Sequence, residues 1–189
     1  MRLNASVLRN GTLNASILYN QFVKQTRFML SIKKLYEEDT IQVREFVLGI
    51  ANGEFGLGFQ PHEQPDLYML EEFYDKGGFW IARYNGEIAG IIGLQRISRD
   101  VVAMRHLFVV PHHRGTQSRI AHHLYRQFLM YAKISDYRMI FVWAPDIAAA
   151  AQAFLERNGF VRVTDESLLP DCFTFPQRDS KIYASHILI

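Results

Sequence analysis

The middle of the chain constrains the fold most, because strand, turn and helix patterns follow one another there without interruption. Two β-type runs, residues 79–84 and 87–94, are separated only by Asn85-Gly86. That dipeptide is typical of a type I′ hairpin turn, in which both residues take positive φ. A third run, residues 101–110, follows closely. The pattern therefore predicts three strands, of which the first two form a hairpin.

A basic loop joins the third run to a helix and has the character of an anion-binding site. Its residues are His112, His113, Arg114, Gly115, Thr116, Gln117, Ser118 and Arg119. The apolar residues that recur after it at helical spacing are Ile120, Leu124, Phe128 and Tyr131. The first turn of a helix has unpaired backbone N–H groups and a positive dipole end, and a guanidinium can donate two parallel hydrogen bonds. These features predict that the loop binds phosphate.

The remaining patterns complete one mixed sheet. Strands are predicted at residues 29–35, 139–143, 160–163 and 181–188. Helices are predicted to begin at Glu37, at Pro65-Asp66 and at Pro145-Asp146, and a glycine-rich loop at residues 53–60 separates the first two. The resulting order, β-α-α-β-β-β-α-β-α-β-β, predicts an α/β chain (an α+β mixed sheet) with helices on both faces.

Composition limits the classes of protein to consider. With 189 residues, of which 49% are apolar, the chain has the size of one domain. We expect residues 29–189 to form that domain and residues 1–28 to be a flexible extension. A single cysteine, Cys172, excludes an intrachain disulfide and favours a reducing, cytoplasmic location. Six of the 21 basic residues and none of the 19 acidic ones lie in residues 1–36, so the domain itself is net acidic. A nucleic-acid face is therefore not expected, and no apolar run reaches membrane-spanning length.

Several short stretches, taken together and in order, carry a resemblance to a known family. They are QPDL (64–67), GGFWIA (77–82), GEIAG (86–90), VPHHRG (110–115), FLERNGF (154–160), LP (169–170), FP (175–176) and KIY (181–183). From about residue 29 to the C-terminus, the chain resembles bacterial members of the GNAT N-acetyltransferase superfamily. The resemblance implies a GNAT acyl-CoA N-acyltransferase-like fold with a central, mostly antiparallel twisted sheet. It also implies acetyl-CoA as the acetyl donor, CoA as product, and no metal.

In that family the third strand pairs with the pantetheine amides of the cofactor, and the loop after it cradles the pyrophosphate. The resemblance gives the first role to Leu107, Phe108 and Val109. It gives the second to Arg114, Gly115, Thr116, Gln117, Ser118, Arg119, Ile120 and Ala121. Two alignments of this loop remain open, one starting from Arg114-Gly115 and the other from Ile120-Ala121. We favour the second, which keeps the helix in register and puts Arg119 where the family has a glycine.

The family's usual proton-transfer residues are missing from their positions. A Glu on the third strand and a Tyr in the helix before Asn-Gly-Phe are replaced by Ala103 and Leu155. His106 and Tyr183 are substitute catalytic candidates. Strand alternation places His106 on the face opposite residue 103 unless a bulge intervenes.

The expected acceptor is a primary amine of a small molecule or a peptide. Glu54 and Glu63, in the loop between the first two helices, are candidates for attracting a cationic amine. The histidine pairs at 112–113 and 122–123 lack metal-ligand spacing, so no metal site is predicted. Neither a nucleic acid nor a membrane is an expected partner, and a homodimer is left open. The alternative interpretation is a catalytically impaired acyl-CoA-binding sensor or interaction module of the same fold.

Overall fold

The structure, a computed structural model, describes residues 30–115, 117–170, 173 and 179–187. Within them, the strands are β1 (Leu30–Lys34), β2 (Gly78–Tyr84), β3 (Glu87–Arg96), β4 (Val101–Val109), β5 (Met139–Pro145), β6 (Val161–Val163) and β7 (Ser180–His186). They form one sheet in the order β1-β2-β3-β4-β5-β7-β6. Neighbouring strands are antiparallel except β4 and β5, which are parallel. The predicted mixed, mostly antiparallel sheet is confirmed.

Helices cover both faces of the sheet. They are α1 (Thr40–Leu48), α2 (Leu70–Phe73), α3 (Ile120–Ile134) and α4 (Ala149–Arg157). On one face, Leu124 and Phe128 of α3 pack in a buried cluster with Ile92 of β3. On the other face, Val47 of α1 packs in a second cluster with Phe79 of β2. The helices are thus held by apolar burial on both sides of the sheet, as the sequence patterns predict.

The hairpin predicted from Asn85-Gly86 is confirmed. Asn85 has φ 55° and Gly86 has φ 91°, so both residues occupy the left-handed region that a type I′ turn requires. The guanidinium of Arg83 also donates to the carbonyl oxygen of Gly86 at 3.0 Å. This turn fixes the register of β2 against β3 and therefore the position of β4 beside them.

Two predicted helix starts are wrong. Instead of one helix from Pro65, the structure has a 3₁₀ turn, Pro65–Leu67, followed by the single turn of α2. Asp66 does not cap a helix, because its carboxylate is buried and accepts hydrogen bonds from within the domain. The last helix begins at Ala149 and not at Pro145, because β5 continues through Pro145. The amide of Gln152 donates to the carbonyl oxygen of Pro145 at 2.8 Å.

The parallel pair β4–β5 is joined over only part of its length. Register partners run from Val101 and Met139 to Met104 and Val142, and beyond these the strands diverge. The second half of β4 remains paired to β3 on its other side. Its edge toward β5 is therefore not covered by that strand, which leaves a gap in the middle of the sheet.

Some predictions fall on residues outside the described ranges: the extension at residues 1–28, Thr116, Cys172 and the FP pair at 175–176. None of the helices that the structure describes is long and apolar enough to cross a membrane.

Candidate functional site

The gap between β4 and β5 opens into a cleft of about 930 Å³. One wall is β4 from Met104 to Val109, and the opposite wall is the end of β5 together with α4. The loop after α1 forms a third side and contributes Phe55, Leu57 and Phe59. The residues predicted to hold the cofactor that line the cleft are Leu107, Phe108, Val109, Arg114, Gly115, Arg119, Ile120 and Ala121. Gln117 and Ser118 lie in the same loop but are not among the lining residues.

Arg114 spans the mouth of the cleft. Its Nε donates to the carbonyl oxygen of Val109 at 2.7 Å, and its Nη2 donates to Oε2 of Glu54, also at 2.7 Å. Nη1 donates to the other carboxylate oxygen of Glu54, so the pair is bidentate. The hydrogen bond from Arg114 and its positive charge hold the pKa of Glu54 below its usual range. Glu54, a candidate for attracting an amine, thus has its charge paired across the mouth.

The loop before α3 has the backbone shape of a glycine-rich turn at two positions. Gly115 has φ 64°, and Arg119, the residue immediately before α3, has φ 47°. Arg119 therefore takes a conformation that glycine adopts most readily. Burial, followed by the charges of Arg119 and Arg126, lowers the pKa of His122 in the first turn of α3. The start of the helix is consequently a region of positive potential that opens onto the cleft.

A bulge in β4 brings His106 to the face of the sheet that carries Arg105 and Phe108. The register between β3 and β4 shifts between Ile91 and Gly93, and His106 has φ 49°. Arg105 pairs with Gly93, and Phe108 pairs with Ile91, so both point to one face, and the His106 ring contacts Phe108 on that same face. Because a positive φ costs a non-glycine residue about 1–3 kcal/mol, the surrounding contacts must hold His106 there.

His106 forms a buried pair with Asp66. Its Nε2 lies 2.6 Å from Oδ2 of Asp66, and the side chains are 9% and 8% exposed. The hydroxyl of Tyr74 donates to the same carboxylate oxygen at 2.7 Å. Burial alone would raise the pKa of Asp66, but the charge of His106 and the hydrogen bonds from His106 and Tyr74 outweigh it and lower that pKa to about 2. Burial, and then the charge of Asp66, raises the pKa of Tyr74 well above its ordinary value.

The other candidate residues lie away from the cleft or cannot transfer a proton. Ala103 is 0% exposed and packs among Phe141, Phe173 and Ile182, and Leu155 belongs to the core on the other face. Tyr183 is buried in that core, where its hydroxyl donates to Glu156 at 3.2 Å. Glu63 accepts from the backbone N–H of Gln60 at 2.8 Å. Neither Tyr183 nor Glu63 is among the residues that line the cleft.

Sequence reasoning missed three residues of this site: Asp66, Tyr74 and Trp143. Asp66 and His106 are 40 residues apart, and no local pattern links them. Trp143, on β5, faces the cleft near Phe59, and its buried Nε1 has no hydrogen-bond partner in the described part of the chain. The sequence of β5 is that of an apolar central strand and does not indicate that Trp143 lines a cavity. Residues buried in a core and residues buried beside a cleft have the same sequence pattern.

A profile of the acetyltransferase (GNAT) family matches residues 44–160, and the chain belongs to that family. No curated protein matched the chain.

Solved structures give the same fold. An acetyltransferase from Streptococcus agalactiae is 28% identical, with 83% of this chain and 98% of that chain covered, at a TM-score of 0.77. A GNAT acetyltransferase from Staphylococcus aureus is 27% identical, with 85% and 100% covered, at a TM-score of 0.79. The PaiA N-acetyltransferase of Thermoplasma acidophilum, solved with coenzyme A, shares the fold at 14% identity, 84% and 99% coverage, and a TM-score of 0.64.

Proposed function

We propose that this protein is an acetyl-CoA-dependent N-acetyltransferase that moves an acetyl group to a primary amine of a small molecule or a peptide. The observation that carries the proposal is the open edge of β4 beside a cleft of about 930 Å³. An extended cofactor arm with two amides can pair with such an edge as an added strand does. The basic start of α3 lies at the end of that edge, where it can bind the pyrophosphate of the same cofactor.

Known structures of the family's fold support the choice of cofactor. The PaiA N-acetyltransferase of Thermoplasma acidophilum was solved with coenzyme A. The N-acetylglutamate synthase of Neisseria gonorrhoeae, 18% identical at a TM-score of 0.64, was solved with coenzyme A and N-acetyl-glutamate. This chain covers 36% of that synthase, so the comparison concerns one domain of it.

Arg114 can turn from Glu54 to a phosphate at little cost. Both side chains of the pair are 33% exposed, and a pair that exposed contributes only about 0–1 kcal/mol. Hydrogen bonds from a guanidinium to a charged phosphate contribute about 1.5–3 kcal/mol. A phosphate bound beside it can therefore compete with Glu54 for Arg114. We infer that cofactor binding releases Glu54, whose carboxylate then borders the acceptor side of the cleft.

The reaction forms one bond and breaks another. The amine nitrogen attacks the thioester carbonyl carbon, the C–N bond forms, the C–S bond breaks, and coenzyme A leaves as a thiol after taking up a proton. The amine must lose a proton during the same sequence. Since Ala103 and Leu155 cannot exchange protons, orientation within the cleft and a different proton acceptor have to supply the acceleration.

Calorimetric titration tests cofactor binding. Acetyl-CoA and CoA should bind with similar affinity, and dephospho-CoA reports how much the 3′-phosphate adds. Absence of binding at millimolar acetyl-CoA overturns the proposal.

Thiol release, followed over a panel of primary amines and peptides, then separates two functions. Acceptor-dependent release above hydrolysis supports the enzyme. Binding without such release favours an acyl-CoA sensor or interaction module, the function that Ala103 and Leu155 by themselves would suggest.

A further inference from the structure

We propose that His106 accepts the proton of the acceptor amine during acetyl transfer, and that Asp66 and Tyr74 are the residues that position it. The proposal rests on the function proposed above and adds the proton acceptor that Ala103 and Leu155 leave missing. It starts from a buried three-residue arrangement in which Asp66 Oδ2 accepts from both neighbours, at 2.6 Å from His106 Nε2 and 2.7 Å from the Tyr74 hydroxyl.

The hydrogen bonds determine which nitrogen of the His106 ring can exchange a proton. Asp66 is a carboxylate at neutral pH, so it can only accept, and Nε2 of His106 must carry a hydrogen. The Tyr74 hydroxyl donates to the same oxygen and holds the carboxylate in place. Nδ1 is then the nitrogen that gains and loses a proton, and it makes no hydrogen bond to any described residue. His106 is among the residues that line the cleft, and the proposal requires Nδ1 to face a group bound there.

The groups around His106 come from the turn before α2, from the end of α2 and from strands β2 and β4. Asp66, from the 3₁₀ turn before α2, stabilises the imidazolium, while Tyr74 moderates that effect by sharing the carboxylate oxygen. Arg105, next to His106 on β4, carries a positive charge, and its Nε donates to Gln95 at 2.9 Å. Phe79 and Phe108 flank the ring without charge. Among the described residues, these neighbours of His106 are one anion, one cation, one hydroxyl and two uncharged rings.

The proton balance closes without any further reactant. Nδ1 takes a proton from the amine nitrogen as the C–N bond forms, and the resulting imidazolium is paired with the Asp66 carboxylate. When the C–S bond breaks, the same proton passes from Nδ1 to the departing sulfur or to water. Asp66 stays ionised throughout, and no electrons are transferred. One histidine thereby covers the tasks of both family residues that Ala103 and Leu155 replace.

A purely structural ion pair is the competing explanation, and kinetics against pH separates the two. In the wild-type protein, a histidine base gives kcat/KM an inflection in the range of about pH 5–8, with activity on the alkaline side. His106→Gln should lower kcat about 10²- to 10⁴-fold and abolish the inflection, with acetyl-CoA affinity unchanged by calorimetry. His186→Gln, on an exposed residue of β7, is the matched control and should leave the profile unchanged.

Two further variants should move the inflection in opposite directions. Asp66→Asn removes the anion that stabilises the imidazolium, so the inflection should move to lower pH and kcat should fall at least tenfold. Tyr74→Phe leaves the carboxylate with one donor fewer and a stronger pull on the His106 proton, so the inflection should move to higher pH. If Asp66→Asn does not fold, Tyr74→Phe alone tests the proposal. Its shift to higher pH should also be seen in the imidazole protons of His106 by NMR.

The outcomes distinguish this proposal from the function on which it rests. A folded His106→Gln protein whose kcat/KM profile matches wild type within twofold overturns the role of His106 while acetyl transfer stands. NMR shifts without corresponding kinetic shifts reduce the pair to a structural contact and also overturn it. A wild-type protein that binds acetyl-CoA but releases no CoA with any acceptor overturns both proposals.

Discussion

Asp66→Asn should make the stability of the protein less dependent on pH in the acid range. The pKa of Asp66 is about 2, against an ordinary value of 3.8. At 1.36 kcal/mol for each pKa unit, that difference corresponds to about 2–2.5 kcal/mol. Because the pKa is lower in the folded state, this stability is fully present above about pH 4 and is lost as the pH falls through 2.

The assay is urea unfolding of both proteins at pH 7, 5, 3 and 2. We take the free energy of unfolding of wild type minus that of Asp66→Asn. This difference should be about 2 kcal/mol larger at pH 5 than at pH 2. Because the two proteins differ only in the side chain of residue 66, the change with pH reports the ionisation of its carboxyl group. Asp179→Asn, on an exposed residue, is the control, and its difference from wild type should not vary with pH in this way. A difference for Asp66→Asn that stays constant from pH 5 to pH 2 would refute the ionised buried pair.

Three other predictions concern the cofactor, the packing and the ends of the domain. Arg114→Ala should weaken acetyl-CoA binding about 10- to 100-fold, whereas Glu54→Gln should not weaken it, as measured by calorimetry. Gly90→Ala should destabilise the protein by about 1–3 kcal/mol in urea, because a Cβ there would lie 2.9 Å from the carbonyl oxygen of Phe108. A chain lacking residues 1–28 should keep its melting temperature within about 4 °C of full length, and a larger drop would place that segment within the fold.

The parts of the fold that the sequence predicted are those encoded by local chemistry. A type I′ turn needs residues that tolerate positive φ, and Asn85-Gly86 supplies both, so the hairpin could be placed to the residue. The start of α3 at Ile120 followed from the spacing of its apolar residues. The second helix failed for the opposite reason. Asp66 has the sequence context of a helix start, but a contact with β4 gives its carboxylate another role.

The bulge explains why the site was only partly predictable. Alternation assigns faces correctly as long as each residue of β4 pairs with one residue of β3. Here two residues of β4, His106 and Leu107, lie opposite Ile92 alone, and alternation is broken. The sequence of β4 does not indicate a bulge, since neither Gly nor Pro is present between Val101 and Val109. His106 has φ 49° in this bulge, and the contact with the Asp66 carboxylate is one of the tertiary contacts that hold it there.

The same bulge changes what the loss of an acid at position 103 means. Ala103 packs against Phe141 and Phe173, which leaves no room there for a hydrated carboxylate. Three residues further along β4, the bulge returns the titratable side chain of His106 to the same face, at the border of the cleft and beside the open edge of the strand. In the proposed mechanism, a proton acceptor has to reach the amine and not to occupy a particular position in the chain. A family residue can therefore be missing from its place while its chemistry is supplied from another one.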